Sequence, residues 1–185
     1  MGRWEPDAMG RLQRAALELY RDHGYEKTTV AEIAERAGLT ERTFFRYFAD
    51  KREVLFAGSP ILQALLLEEL AKTDPSASPL DQIVMAVEHA DDIFAPRDLA
   101  RVRHQVITAH AELQERELIK LSHLASAFAE ALRQRGIDEP AASLAAETGV
   151  AVFKVAFERW IAKGEKRSYG ALVRDSLAEL KAATR

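Results

Sequence analysis

The sequence predicts an all-α fold, and three observations carry that expectation. Apolar residues recur with helical period along nearly every segment. No stretch shows the sustained alternation of a half-buried strand. Glycine, proline and small polar residues cluster at a few sites between the periodic runs, where turns are needed. The chain has 185 residues, 48% hydrophobic and 30% charged, the balance of a folded globular protein rather than a disordered one. At about 150 residues per domain this is one domain, or a small one joined to a larger one.

The elements follow in order. Leu12, Ala15, Ala16, Leu19 and Tyr20 share one helical face, and Gly24 is placed to stop that helix in the left-handed conformation open to glycine. Thr29 with Glu32 forms a capping box opening a helix that turns Val30, Ile33, Ala34 and Ala37 inward, with Gly38 as its stop. Thr40 caps a short helix carrying Phe44 and Phe48. Asp50 with Glu53 is a second capping box, predicting a helix through Val54 and Leu55. Pro60, inside Gly58-Ser59-Pro60, predicts a kink or a fresh start with Ser59 as N-cap. The run from Thr73 to Pro79 is a loop. Leu80, Ile83, Val84, Val87 and Phe94 form the next stripe, bounded by Pro96. Leu99, Val102, Val106, Ala109 and Leu113 form another, followed by Leu118, Leu121, Ala125, Phe128 and Leu132. Gly136 to Pro140 reads as a turn. The last two helices run from about Ala141 to Ala162 and from Tyr169 to Ala182.

Helix 141–162 carries two apolar stripes, one through Leu144, Thr148, Val152 and Val155, the other through Val150, Phe153, Phe157, Trp160 and Ile161. A helix apolar on two sides must bury two sides. Either a second chain or an unusually central place in the core covers the excess. The expectation is a dimer face built from Val150, Phe153, Phe157, Trp160 and Ile161, with Tyr169, Val173 and Leu177 of the last helix.

Composition narrows the function. With no cysteine there is no disulfide, thiolate metal site or cysteine nucleophile. The histidines at 23, 89, 104, 110 and 123 include no pair at helical metal-ligand spacing, so no metal and no cofactor is expected. Neither a G-x-S-x-G elbow nor a glycine-rich phosphate loop occurs, and an enzyme is not expected. The start of the chain is charged and the longest apolar run, Ala64 to Leu67, is short, so neither an export nor a membrane segment is expected and the chain is placed in the cytoplasm. Lys+Arg number 26 and Asp+Glu 29, a net charge of −3, so bulk charge does not recruit nucleic acid.

A local patch does. Residues 28–55 read as helix, tight turn at Gly38, helix, the layout that projects a second helix from a rigid corner into a major groove. Phe44 and Phe48, one turn apart, anchor the projecting helix. Its other faces carry Glu41, Arg42, Thr43, Arg46 and Tyr47. Within 40–52 stand four basic residues (Arg42, Arg46, Lys51, Arg52) against two acidic ones (Glu41, Asp50), an excess of two.

These residues, with the run Ala15-Ala16-x-x-Leu19-Tyr20-x-x-x-Gly24-Tyr25-x-x-Thr28-Thr29-Val30-x-x-Ile33-Ala34-x-x-Ala37-Gly38-Leu39 and then Thr43-Phe44-Phe45-x-Tyr47-Phe48-x-x-Lys51-x-x-Leu55, resemble the DNA-binding domain of the tetracycline-repressor (TetR) family. The resemblance covers about a quarter of the chain. It implies a helix-turn-helix domain, a three-helix bundle over 1–55, and an effector-binding and dimerisation domain over 56–185, about nine helices in all. It further implies a homodimer, an operator of double-stranded DNA with an inverted repeat, and release of that operator by a small-molecule effector. Thr29 and Lys51 match phosphate contacts; Thr40, Glu41, Arg42, Thr43 and Tyr47 match positions facing the groove or its walls. Two residues depart from the pattern. Phe45 replaces a tyrosine whose hydroxyl commonly meets a phosphate, leaving apolar contact only, as with a thymine methyl. Arg46 replaces a second aromatic and is expected at a phosphate or base. Arg3, Arg11 and Arg14 are further candidates for the DNA backbone or an adjacent minor groove, with a solvated surface place the alternative for Arg11 and Arg14. Met85, His89, Phe94, His104, Phe128, Phe153 and Trp160 are the candidate effector pocket, as apolar and polar groups between helices of the variable part. The alternative to a regulator is a helical adaptor or ligand-binding module without a DNA role, supported by the balance of 10 basic and 10 acidic residues in the first 55.

Overall fold

The computed structural model describes residues 7–90, 94 and 96–184, so Arg3, a candidate for the DNA backbone, lies outside the described residues. Among those described there are nine α-helices and no strand. They are α1 (Ala8–His23), α2 (Val30–Arg36), α3 (Glu41–Tyr47), α4 (Ser59–Lys72), α5 (Pro79–Val87), α6 (Arg97–Ala109), α7 (Ala111–Gln134), α8 (Ala141–Trp160) and α9 (Tyr169–Ala183). The chain divides into two compact units. One comprises Met1–Gly58 with Ala95–Glu115, the other Ser59–Phe94 with Arg116–Arg185.

The first unit is built by its caps. Gly24 ends α1 at φ 86°, its amide donating to the Tyr20 carbonyl. The Thr29–Glu32 capping box forms in full at the start of α2. Gly38, at φ 67°, turns the chain out of α2 while the Leu39 amide donates to the Ala34 carbonyl at 2.8 Å and its own amide to Glu35 at 2.9 Å. That pair of bonds is a Schellman stop, and only glycine enters it without strain. Thr40 then accepts from the Thr43 amide to start α3. Leu12, Ala16, Leu19, Ile33, Phe44, Phe48 and Leu55 fill the space between these helices. The same core takes Leu99, Val106 and Ile107 of α6, so α6 packs on α1 as part of this unit.

One segment departs from the helix expected after Asp50. The Asp50 carboxylate does accept from the Arg52 and Glu53 amides, but Glu53–Phe56 is a single 3-10 turn. Pro60 enforces the interruption, because it has no amide for a helix arriving from residue 56. Glu53–Lys72 passes for a membrane span by length and composition, with hydropathy 1.5. It is two elements, and Val54, Leu55 and Phe56 of the first are buried in the core just described.

In the second unit α5 packs against α4, α8 and α9. Gly149 on α8 makes the closest of these approaches, since a Cβ there would lie 2.4 Å from Cγ2 of the fully buried Ile83. Ion pairs Glu88–Arg174 at 2.5 Å and Asp81–Lys181 at 2.7 Å lash α5 to α9. Gln82 and Arg135 hold the 73–78 loop by donating to its carbonyls.

Candidate nucleic-acid interface

The short helix α3 is held from behind and bare in front. Phe44 is wholly buried and Phe48 nearly so, their rings 5.4 Å apart. On the other side Glu41, Arg42 and Arg46 are exposed, Phe45 is 55% exposed and Tyr47 40%. Thr40, Glu41, Arg42, Thr43, Phe45, Arg46 and Tyr47 therefore share one helix or its cap, and all but the half-buried Thr43 stand open to solvent. Arg46 lies over the Tyr47 ring, 4.9 Å from its centroid, and donates to its hydroxyl at 3.0 Å. Arg42 makes no hydrogen bond or ion pair among the described residues. Its guanidinium keeps the planar donor fork that suits guanine or phosphate.

The two residues expected at phosphates are engaged otherwise. The Lys51 ammonium donates to the carbonyls of Tyr25, Thr28 and Glu26 at 2.8, 3.1 and 3.2 Å. It also lies 4.5 Å from the centroid of the Tyr25 ring. Burial pushes the Tyr25 hydroxyl up to about 12, so the ring under the cation is neutral. An ammonium has three protons, and all are used. The Thr29 hydroxyl donates to Glu32 at 2.8 Å, and the carboxylate it meets also caps the Thr29 amide. Hydrogen bonding from Thr29 lowers the Glu32 pKa, so a negative charge stands at that helix start. Lys51 and Thr29 thus brace the head from within. Pattern matching could not reveal this, because it assigns a residue type without counting the acceptors around it.

Behind the head, His110 closes a small network between α6 and α7. Its Nδ1 lies 2.8 Å from the Val106 carbonyl and its Nε2 2.9 Å from the Glu26 carboxylate, while its ring meets Tyr25 edge-on at 4.9 Å. Sequence reasoning weighed His110 only as a metal ligand and missed this role; its sequence neighbours carry no sign of Glu26, 84 residues away.

Residues 12–57 match the family model for bacterial regulatory proteins of the tetR family. That match spans the first three helices and the turn after them, a quarter of the chain. Among curated relatives, the HTH-type transcriptional regulator TcmR of Streptomyces glaucescens is 41% identical over 70 residues, which is 38% of this chain but 31% of TcmR. The chain thus aligns with about a third of that relative's length. Among solved structures, a Syntrophomonas wolfei protein described as a TetR-family transcriptional regulator has a TM-score of 0.71 at 15% identity, covering 96% of this chain and 94% of its own. The regulator FadR of Bacillus subtilis, solved in complex with stearoyl-CoA, has a TM-score of 0.67 at 19% identity, covering 92% and 96%. At those identities the likeness is one of fold.

The matched stretch lies in the first unit; the other unit holds most of the remaining expected sites. Phe94, Phe153, Phe157, Trp160 and Tyr169 pack ring against ring, with Phe94 5.1 Å from Tyr169 and 5.2 Å from Phe157. Of the expected dimer face, Tyr169 and Val173 are fully buried within the single chain. Val150, Phe153 and Trp160 are 7% exposed and Ile161 5%, with Phe157 and Leu177 half-buried. The second stripe of α8 is covered by α9 and Phe94, the central-core outcome. Of the expected pocket, Met85 and His89 are exposed, Phe128 is fully buried, and Phe94, Phe153 and Trp160 fill space with one another. His104 belongs to the other unit. None of the seven lines the open groove of about 630 Å³ formed by Leu67, Leu70, Ala71, Ala127, Ala131 and Gln134 between α4 and α7.

Proposed function

We propose that this chain is a cytoplasmic, sequence-specific DNA-binding transcriptional regulator, a homodimeric repressor released from an inverted-repeat operator by a small-molecule effector. The observation that carries the reading is the outward face of α3, where Glu41, Arg42, Phe45, Arg46 and Tyr47 stand exposed on a helix anchored by two buried phenylalanines. A helix so mounted fits the major groove, and these side chains offer acceptor, donor and apolar groups to base edges. Thr40 and Thr43 cap that helix, and Lys51 and Thr29 hold its base.

Two copies are needed to read two half-sites about 34 Å apart. The surface that supports pairing is the outer edge of the other stripe of α8, where Leu144 is 64% and Val155 45% exposed with Thr148 and Ala151 between them at helical spacing, while Val152 of that stripe is buried. The effector seat we propose is the groove between α4 and α7, whose aliphatic lining suits an apolar ligand. The FadR relative in fold was solved with stearoyl-CoA, which supports a ligand of apolar character. Such a ligand weakens operator binding only by its preference for the dimer state that cannot span both half-sites.

Selection of bound fragments from random DNA at low salt tests the reading. The expected result is an enriched inverted repeat with half-sites one helical turn apart. Recovery of DNA at the level of the unselected pool leaves the adaptor alternative in its place.

A further inference from the structure

Phe45 is the one exposed phenylalanine on the outward face of α3. Its ring is 55% exposed, whereas phenylalanine ranks among the residues most often buried. It is not loose. It stands edge-on to the buried Phe44, at 5.5 Å and 82°, and Phe44 is in turn set against Phe48. The ring thus presents an apolar plate that rests by one edge on Phe44. Glu41 lies one turn before it and Arg42 three residues before it, both exposed on the same side.

We propose that Phe45 reads the 5-methyl group of a thymine, so that each half-site of the operator carries a thymine at the position this ring meets. The inference rests on the regulator reading above. Its chemistry is elimination among the groups DNA offers. A phenyl ring gives no hydrogen bond, so phosphate oxygens and the donors and acceptors of base edges gain nothing from it. The thymine methyl is the apolar feature of the major groove. Burying it against a ring already held in place returns hydrophobic free energy at little cost in side-chain order. Glu41 and Arg42 beside it supply the polar readout of adjacent bases, a carboxylate accepting from a cytosine amine and a guanidinium donating to guanine.

The test uses the full chain and the operator returned by selection. Each thymine is replaced in turn by deoxyuridine, which removes the methyl and keeps every hydrogen-bonding group. One symmetry-related pair of thymines should matter, each replacement weakening binding about fourfold and the pair about sixteenfold, the value of one buried methyl-sized group. Phe45→Ala should bind more weakly and lose the preference for thymine over deoxyuridine at that pair only, while Phe45→Tyr keeps it. Phe45→Gln serves as a second ring-deleting variant with the same expected loss of preference. An unchanged preference in the ring-deleting variants, or a thymine scan flat at every position, overturns the inference and leaves the regulator reading intact. Failure to select any sequence overturns that reading first, and this one with it.

Discussion

The Lys51 ammonium is engaged by three backbone carbonyls, and this decides how Lys51 is tested. Lys51→Met leaves the carbonyls of Tyr25, Glu26 and Thr28 short of a donor. We expect a loss of about 1–2 kcal/mol of stability, water replacing part of the bonding. In a thermal melt that is a fall of about 2–8 °C for a chain of this size. The dependence of DNA affinity on salt should stay as it is. Arg46→Gln should do the reverse, leaving the melt unchanged and reducing the slope of log affinity against log salt by about 0.9 per head. A shallower slope for Lys51→Met would restore it as a phosphate contact. His110 gives the pH dependence at the same scale. A neutral imidazole has one N–H, yet both ring nitrogens face acceptors, the Val106 carbonyl and the Glu26 carboxylate, with Glu112 also contributing negative charge. The hydrogen bond to Val106, then that to Glu26, raises its pKa above the ordinary 6.5. A raised folded-state pKa adds stability in full below the unfolded value and loses it as pH climbs through the folded one. Urea midpoints of the wild type and His110→Gln should therefore differ most in mild acid and converge in mild alkali. A gap constant across that range would sink this assignment.

Among the elements, caps and stops were legible and interruptions were partly so. Gly24, Thr29, Gly38 and Thr40 each act where the sequence marks them, because caps and stops are local contracts with the backbone a few residues away; Ser78, read only as part of a loop, also caps α5. The break at His110 carried no glycine or proline. There the backbone leaves the helix at φ −130° and ψ 117°, and the ring returns to the Val106 carbonyl of the turn just ended. The α5–α8 crossing was not legible either, since Gly149 looks like a weak point in a helix until Ile83 is set against it. Alanine there should help an isolated helix by about 1 kcal/mol. In this protein Gly149→Ala should destabilise by about 1–3 kcal/mol, because the added Cβ overlaps a fully buried side chain. A raised urea midpoint for Gly149→Ala would show that α5 and α8 can part at little cost.

At the scale of the whole molecule, the proposed homodimer turns on which surface is open to a second copy. The aromatic stripe of α8 is largely buried inside one chain, so Phe153, Trp160 and Tyr169 offer little surface to a second copy. Leu144 and Val155 are open. A Leu144→Asp, Val155→Asp double variant should fold, since both side chains lie outside the core, yet sediment as a single chain. It should also lose operator affinity by far more than either head's own contacts explain, because two half-sites bound independently forfeit the effective concentration of a linked pair. A double variant that still sediments as a dimer would move the interface elsewhere.

Periodicity, caps and one compact motif in the sequence determined the helices, their order and the reading head. These are local properties, governed by residues within about four positions of each other. What the tertiary structure alone decided is which of several equally apolar faces turns inward, and which of several equally basic groups stays available. Both depend on partners distant in sequence: Phe94 and α9 over the aromatic stripe, and the three carbonyls of the 25–28 turn around Lys51. Burial and hydrogen bonding are satisfied by whatever lies nearest in space, and sequence spacing alone does not rank those neighbours.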